Sequence, residues 1–243
     1  MITIKKLFIL VLFVQNIFSA GAQDAKTILD KMDKIMFSAK DRSGKVTIIL
    51  TDKDGNEKVR EAEMFQKGTD LKLYRYTKPE SQAGIATLSL PDGVMWISMP
   101  AFEKPKRISM LSKSQSFTGT DFSYEDMATT PYSDRFTCKL TSTGADDYLL
   151  DLIPISGKSN YSKIILRVNK TNGYPIWMKF YNVQGRMFKE ATYKYEKVGN
   201  YWNASEIVMK DIEKNHSTTI KLHDTKYDQG LSDDIFKVEN MKK

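Results

Sequence analysis

The sequence predicts a mainly β protein: a strongly curved antiparallel sheet or partly closed barrel, with one early helix against its concave face. Three observations predict it. From Lys45 onward apolar residues recur with a period of two; turn signals separate these segments at hairpin spacing; and a single amphipathic helical pattern precedes them.

The first 22 residues read as an export signal. Lys5 and Lys6 open the chain without an acid, Leu7 to Val14 form an unbroken apolar run, and Ser19-Ala20-Gly21-Ala22 supply small residues for cleavage. The run is shorter than the ~20 residues a spanning helix needs. Residues 1–22 are therefore expected to be a cleaved signal peptide and residues 23–243 a single exported, soluble, periplasmic domain. The only cysteine, Cys138, lies far from the cleavage site, so the protein is not expected to carry a lipid itself. Cys138 alternates with apolar neighbours in Phe136–Leu140 and reads as a buried structural thiol. Loss of Lys5 and Lys6 takes the formal charge from +7 to +5. That balance suits anionic lipid surfaces or acidic partners. The basic residues are interleaved with acids, which speaks against nucleic acid as a partner.

Ile28, Met32, Ile35 and Met36 fall on one face of a predicted helix beginning near Asp24, with Lys26, Lys31, Asp33 and Lys34 opposite. A helix this short needs a packing partner. The strand patterns follow. Val46, Ile48 and Leu50 alternate with threonines; Leu71 and Leu73 alternate with Lys72, Tyr74 and Tyr76; and Trp96 falls between Met95 and Ile97. Further segments centre on Leu150, Leu166, Met178 and Ile220. Asp54-Gly55, Asp92-Gly93, Asn172-Gly173, Gln184-Gly185 and Gly199-Asn200 mark the turns. Such short connections favour antiparallel neighbours. Leu111 to Thr130 is the main interruption and reads as a long loop with a helical turn near Tyr124 to Met127.

Covalent chemistry finds little support. His216 and His223 are the only imidazoles; a spacing of seven puts them on opposite faces of a strand, and both read as solvated. No metal-ligand spacing, Gly-x-Ser-x-Gly elbow or phosphate-cradling glycine loop occurs. Asp52 to Asn56 has a glycine misplaced for a calcium loop and fits a hairpin turn better. No cofactor, metal or catalytic residue is expected, and the chain is not expected to be an enzyme.

Residues 64–127 carry a resemblance. Met64-Phe65-Gln66-Lys67-Gly68 and Leu71 to Tyr76 lead to Val94-Met95-Trp96-Ile97-Ser98-Met99-Pro100-Ala101. Lys104-Pro105-Lys106-Arg107-Ile108-Ser109 comes next, and Phe117-Thr118-Gly119-Thr120-Asp121-Phe122-Ser123-Tyr124-Glu125-Asp126 ends the segment. The tryptophan strand with its Lys-x-x-Arg, followed by Gly-Thr-Asp-Phe-Ser-Tyr-Glu-Asp, resembles the LolA-like family of outer-membrane lipoprotein-sorting proteins. The resemblance implies a half-open antiparallel β-barrel closed on one side by helices, with an apolar interior. It also implies a carrier for lipid or lipoprotein acyl chains, with an inner-membrane transporter or outer-membrane acceptor as candidate partners.

Large apolar groups on both faces of several strands independently suggest a cavity. Its candidate lining residues are Phe65, Leu73, Leu88, Met95, Trp96, Ile97, Met99, Leu150, Trp177, Met178 and Phe180. Lys104, Lys106 and Arg107 are candidates for its mouth, and Asp121, Phe122, Tyr124 and Glu125 for a lid or docking surface. The expected function is non-covalent capture of acyl chains by a monomer. The rival expectation is an envelope sensor or an accessory of a lipid exporter, acting through protein contacts at those two surfaces. A lipid hydrolase is a third, weaker alternative.

Overall fold

The computed structural model describes residues 17–109, 115–157 and 159–242, with side chains from Ala25 onward. Most of the expected signal segment lies outside these residues. Among the described residues one helix, α1 (Ile17–Met36), precedes thirteen strands. The first six are β1 (Asp41–Thr51), β2 (Glu57–Lys67), β3 (Leu71–Lys78), β4 (Ala86–Leu90), β5 (Val94–Ser98) and β6 (Lys106–Arg107). A short helix, α2 (Tyr132–Arg135), leads into β7 (Phe136–Thr143), β8 (Asp147–Pro154), β9 (Lys163–Asn169) and β10 (Pro175–Tyr181). Three long strands close the series: β11 (Met187–Val198), β12 (Tyr201–Asp211) and β13 (His216–Tyr227). The helix begins earlier than the apolar pattern predicts, and no described helix is long and apolar enough to cross a membrane.

All thirteen strands form one antiparallel sheet in the order β6-β5-β4-β3-β2-β1-β13-β12-β11-β10-β9-β8-β7. Sequential hairpins explain every neighbour except the central one, where β1 pairs with β13. The sheet does not close: β6 and β7 remain its two edges. The connection between them, from Ile108 to Pro131, contains the long predicted loop.

Alternation sorts the side chains onto two faces. On β1 Val46, Ile48 and Leu50 are buried inward; on β2 Ala62 and Met64; on β3 Tyr74 and Tyr76. These join Leu150, Leu152, Ile164, Leu166, Met178 and Phe180 from the other half of the sheet in one concave core. Ala25, Leu29 and Met32 of α1 belong to the same core, as do Phe117, Phe122, Tyr124 and Met127 of the β6–β7 connection. Opposite parity builds a second cluster on the convex face, where Leu73, Ala86 and Leu88 pack with Phe236 and Met241 of the C-terminal segment.

Asparagine and aspartate side chains shape the hairpins. Asp52 Oδ1 accepts the N–H groups of Asp54 and Asn56, and Asn182 Oδ1 those of Gln184 and Arg186. The β9–β10 turn has a further duty, because the C-terminal end of α1 sits on it. Tyr174 Oη donates to the Ile35 carbonyl at 3.3 Å. Gly173 has φ of 74°, and a Cβ there would lie 2.7 Å from Ile35 Cδ1. Asp33 fixes the same helix to α2 by accepting from the Tyr132 and Ser133 N–H groups at 3.1 and 2.8 Å. Gly173→Ala therefore combines a left-handed backbone penalty with a clash against α1. It is expected to lower unfolding free energy by about 1–2 kcal/mol in denaturant titration, whereas Gly185→Ala, with open space around it, meets the backbone penalty alone.

Candidate functional site

The concave face is filled from the β6–β7 side by residues 115–130. Phe117 packs edge-on against Tyr74 and Tyr124 at 5.9 and 5.4 Å. Arg60 Nη1 donates to the Thr118 carbonyl at 2.5 Å, and Tyr76 Oη and Thr118 Oγ1 share a hydrogen bond of the same length. Each acid of the Asp121–Asp126 motif grips a different part of the wall. Asp121, buried, receives Thr218 Oγ1 at 2.7 Å and lies 2.8 Å from His216 Nδ1. Its own N–H donates to Thr218 Oγ1, and its carbonyl accepts from Lys189 Nζ. Glu125 receives Ser159 Oγ at 2.6 Å together with the backbone and side-chain N–H groups of Asn160. Asp126 receives Tyr161 Oη at 2.5 Å. Phe122 and Tyr124 are buried beneath these anchors. The motif thus points inward, with its carboxylates spent on holding the connection. His216, expected to be solvated, is a half-buried partner of Asp121 because it shares the inward parity of Thr218 and Ile220.

Beside this plug an open cavity of about 170 Å³ remains between the end of α1, the connection and the inner faces of β1–β3 and β11–β13. Its wall is aromatic: Tyr74, Tyr132, Tyr174, Tyr193, Tyr195 and Trp202 all contribute. Ile207, Ile220 and Leu222 provide the aliphatic part. Burial pushes the Tyr74 and Tyr132 phenols up to about 12. It drives Tyr193 and Tyr195 well above the ordinary phenol range, with neighbouring tyrosines adding to the shift. These hydroxyls stay neutral at physiological pH and supply polar contacts within an apolar surface. Met178 lies behind them, its Sδ 3.5 Å from both Tyr132 Oη and Tyr193 Oη.

The polar end of the cavity holds Asp41, Arg42, Gln66 and Lys72. Asp41 is committed to the chain after β13, accepting the N–H groups of Gln229, Gly230 and Leu231 at 2.7–3.0 Å. Arg42 donates Nε and Nη2 to Gln66 Oε1 at 3.1 and 2.8 Å. Burial, and secondarily the charge of Arg42, holds the Lys72 ammonium down to about 7. Arg135 also lines the cavity; its guanidinium lies over the Tyr132 and Phe136 rings, and its buried Nε has no hydrogen-bond partner. Among the described residues no cluster of three metal-ligating side chains occurs.

Most sequence-predicted lining residues lie elsewhere. Phe65, Leu73, Leu88 and Trp96 belong to the convex cluster under the C-terminal segment. Leu150, Met95, Met178 and Phe180 are in the concave core without reaching the cavity. Ile97 and Met99 belong to neither cluster, and half-buried Trp177 lies between the cations of Arg167 and Lys179 at 5.3 and 5.1 Å from its ring centre. Lys104, Lys106 and Arg107 are exposed at the β6 end, and Lys106 Nζ sits 4.1 Å from the Phe102 ring centre. Of all the predicted site residues, Phe122 alone lines the cavity. The reason is parity. On β3 and β4 the outward set is the more hydrophobic one, because a C-terminal segment with no strand pattern of its own covers it. The inward set Lys72, Tyr74, Tyr76 carries the weaker apolar signal.

An open antiparallel sheet wrapped around a helix and a buried connection is a LolA-like architecture, and solved structures show the same fold. An outer-membrane lipoprotein-sorting protein domain from Vibrio parahaemolyticus is 24% identical, with a TM-score of 0.84 over 91% of this chain and 100% of its own. A DUF1329 family protein from Desulfovibrio piger is 23% identical, with a TM-score of 0.85 over 91% and 99%. A LolA superfamily protein from Nitrosomonas europaea is 26% identical, with a TM-score of 0.74 over 88% and 98%. A family model described as that of an uncharacterized protein matches residues 68–243, and the chain belongs to that family. No curated protein matches it.

Two outcomes test the site. Asp121→Ala leaves Thr218 and His216 without their acceptor and is expected to cost about 2–4 kcal/mol in denaturant unfolding, with faster proteolysis of the 115–130 segment. Lys72 gives a pH signature. Below pH about 7 its ammonium is charged in both states; between about 7 and 10.5 the unfolded chain keeps a proton that the folded chain has released. Stability therefore rises with pH in that window. Lys72→Met is expected to raise the melting temperature most at low pH, with the gain shrinking as pH climbs through the window.

Proposed function

We propose that this protein is a periplasmic carrier that captures the acyl chains of a lipid or lipoprotein in the aromatic cavity, without covalent chemistry. The observation that carries the reading is the cavity itself. An apolar and tyrosine-lined hollow lies open on the concave face, directly against a connection held by polar anchors at Thr118, Asp121, Glu125 and Asp126 with the edge-on rings of Phe117 and Tyr124 interleaved among them. Each buried CH₂ contributes about 0.8 kcal/mol, so cargo of increasing chain length gains enough to displace Phe117 and its neighbours from the concave face. The phenols of the wall, with Met36 and Met127 beside them, supply a surface that tolerates different chains. Export by the N-terminal segment, and hand-over to or from a membrane partner, complete the reading. Its support is the LolA-like fold shared with the Vibrio parahaemolyticus and Nitrosomonas europaea structures.

Native mass spectrometry of the full chain purified from its own envelope, before and after solvent extraction, tests this directly. A lipid or acylated peptide at one per chain is the expected result. A clean apo mass with no uptake of added palmitate would sink the carrier reading and favour a partner-binding accessory. Ala204 is half-buried on the cavity wall. Ala204→Trp fills the hollow and is expected to weaken palmitate uptake at least about tenfold, a loss near 1.4 kcal/mol, while the melting temperature is held or raised.

A further inference from the structure

We infer that Arg42 and Lys72 form a head-group subsite for a phosphate, so that the cargo is an anionic acyl amphiphile; this rests on the carrier reading above. Strand register places the two cations. Arg42 of β1 stands opposite Gln66 of β2, and Gln66 opposite Lys72 of β3, so the three side chains form one cross-strand row. Parity turns the row inward: Arg42 follows Val46 and Ile48 on β1, Gln66 follows Met64, and Lys72 precedes Tyr74. The apolar concave face therefore ends in two positive charges roughly 10 Å apart, the width of two strand spacings.

Like charges turned into a protein interior are costly unless something neutralises them. No carboxylate among the described residues does. Among the described residues neither Arg42 nor Lys72 forms an ion pair, although fourteen other pairs do form. The polar neighbours of Arg42 are the neutral Gln66 amide and Tyr227 hydroxyl. Lys72 Nζ lies 5.1 Å from the Tyr74 ring centre, its one polar contact among the described residues. The two carboxylates that also line the cavity are engaged elsewhere, Asp41 with the Gln229–Leu231 backbone and Asp126 with Tyr161 and Ser123. Burial, and secondarily the charge of Arg42, depress the Lys72 ammonium. An anion seated over Gln66 reaches both cations, while its acyl chain runs along Tyr74 and the aromatic wall. Guanidinium and ammonium groups bind phosphate oxygens through charge-assisted hydrogen bonds, which are about twice as strong as neutral ones.

Isothermal titration of the full chain with three probes tests the subsite: 1-palmitoyl lysophosphatidate, 1-monopalmitoylglycerol and inorganic phosphate. The first two share a chain and a glycerol and differ in the phosphate. The lysophosphatidate is expected to bind one per chain and about tenfold or more tighter than the neutral lipid. Lys72→Met and Arg42→Gln, each checked by melting temperature, are expected to bring its affinity down toward that of the neutral lipid. Equal affinity for the two lipids in the unaltered chain would overturn the subsite and leave the carrier reading standing. Binding of neither would remove both. Inorganic phosphate binding as tightly as the lysolipid would overturn the amphiphile and assign the row to a free anion. Selectivity that survives in both variants and falls instead in Lys104→Gln/Lys106→Gln would also overturn the subsite.

Discussion

An antiparallel sheet that curves without closing carries two liabilities, an apolar concave face and two unpaired edges. The rest of this structure follows from how they are covered. Helix α1 covers the half of the concave face toward β7, burying Ala25, Leu29 and Met32. The connection between the two edges covers the rest. That connection has no regular ladder of its own, so its buried backbone and acids must find partners on the wall. Asp121, Glu125 and Asp126 do this at two places, Asp121 on β13 and the other two on the segment before β9. The cover is therefore pinned by polar contacts from Thr118 to Asp126, with edge-on rings interleaved among them. Such a cover is firm in register.

The sheet is also buried on its outer side. The segment from Leu231 to Met241 folds back over β2–β5 and is tied there by Lys67, whose Nζ donates to the Leu231 carbonyl at 2.8 Å, and by Arg75. This second core explains why β5 carries Met95 and Trp96 on opposite faces. The doubly apolar strands thus support two separate packing surfaces rather than one large interior. The cavity appears where a polar row interrupts the inner face, at the Asp41 end of β1.

That location has an electrostatic consequence. The inner surface of β1–β3 passes from Leu50 and Ile48 to Arg42, and from Tyr76 to Lys72, within a few residues. The site is consequently amphipathic along the strand direction, with tyrosines bridging the two characters. Stability has been given up for it, since Lys72 is held near neutrality by desolvation. Departures from inward-apolar patterning of this kind belong at sites that meet something other than the chain itself.

Much of the architecture was legible in the sequence. Period-two alternation located seven strand centres, Asn-Gly and Asp-Gly pairs located hairpins, and the distinctive 117–126 motif located the connection that plugs the sheet. The β1–β13 pairing that joins the two ends of the meander was beyond its reach, because register between segments so distant depends on contacts that no local pattern encodes. The candidate site fared worse: none of the predicted lining residues reaches the cavity, and Phe122, predicted for the lid or docking surface, does. Alternation tells which residues share a face, and this the sequence by itself determined. Which of the two faces is the inside depends on what packs over each. Tertiary structure decided that, by laying an unpatterned C-terminal segment over Leu73 and Leu88 and leaving Arg42, Lys72 and Tyr74 to face the hollow.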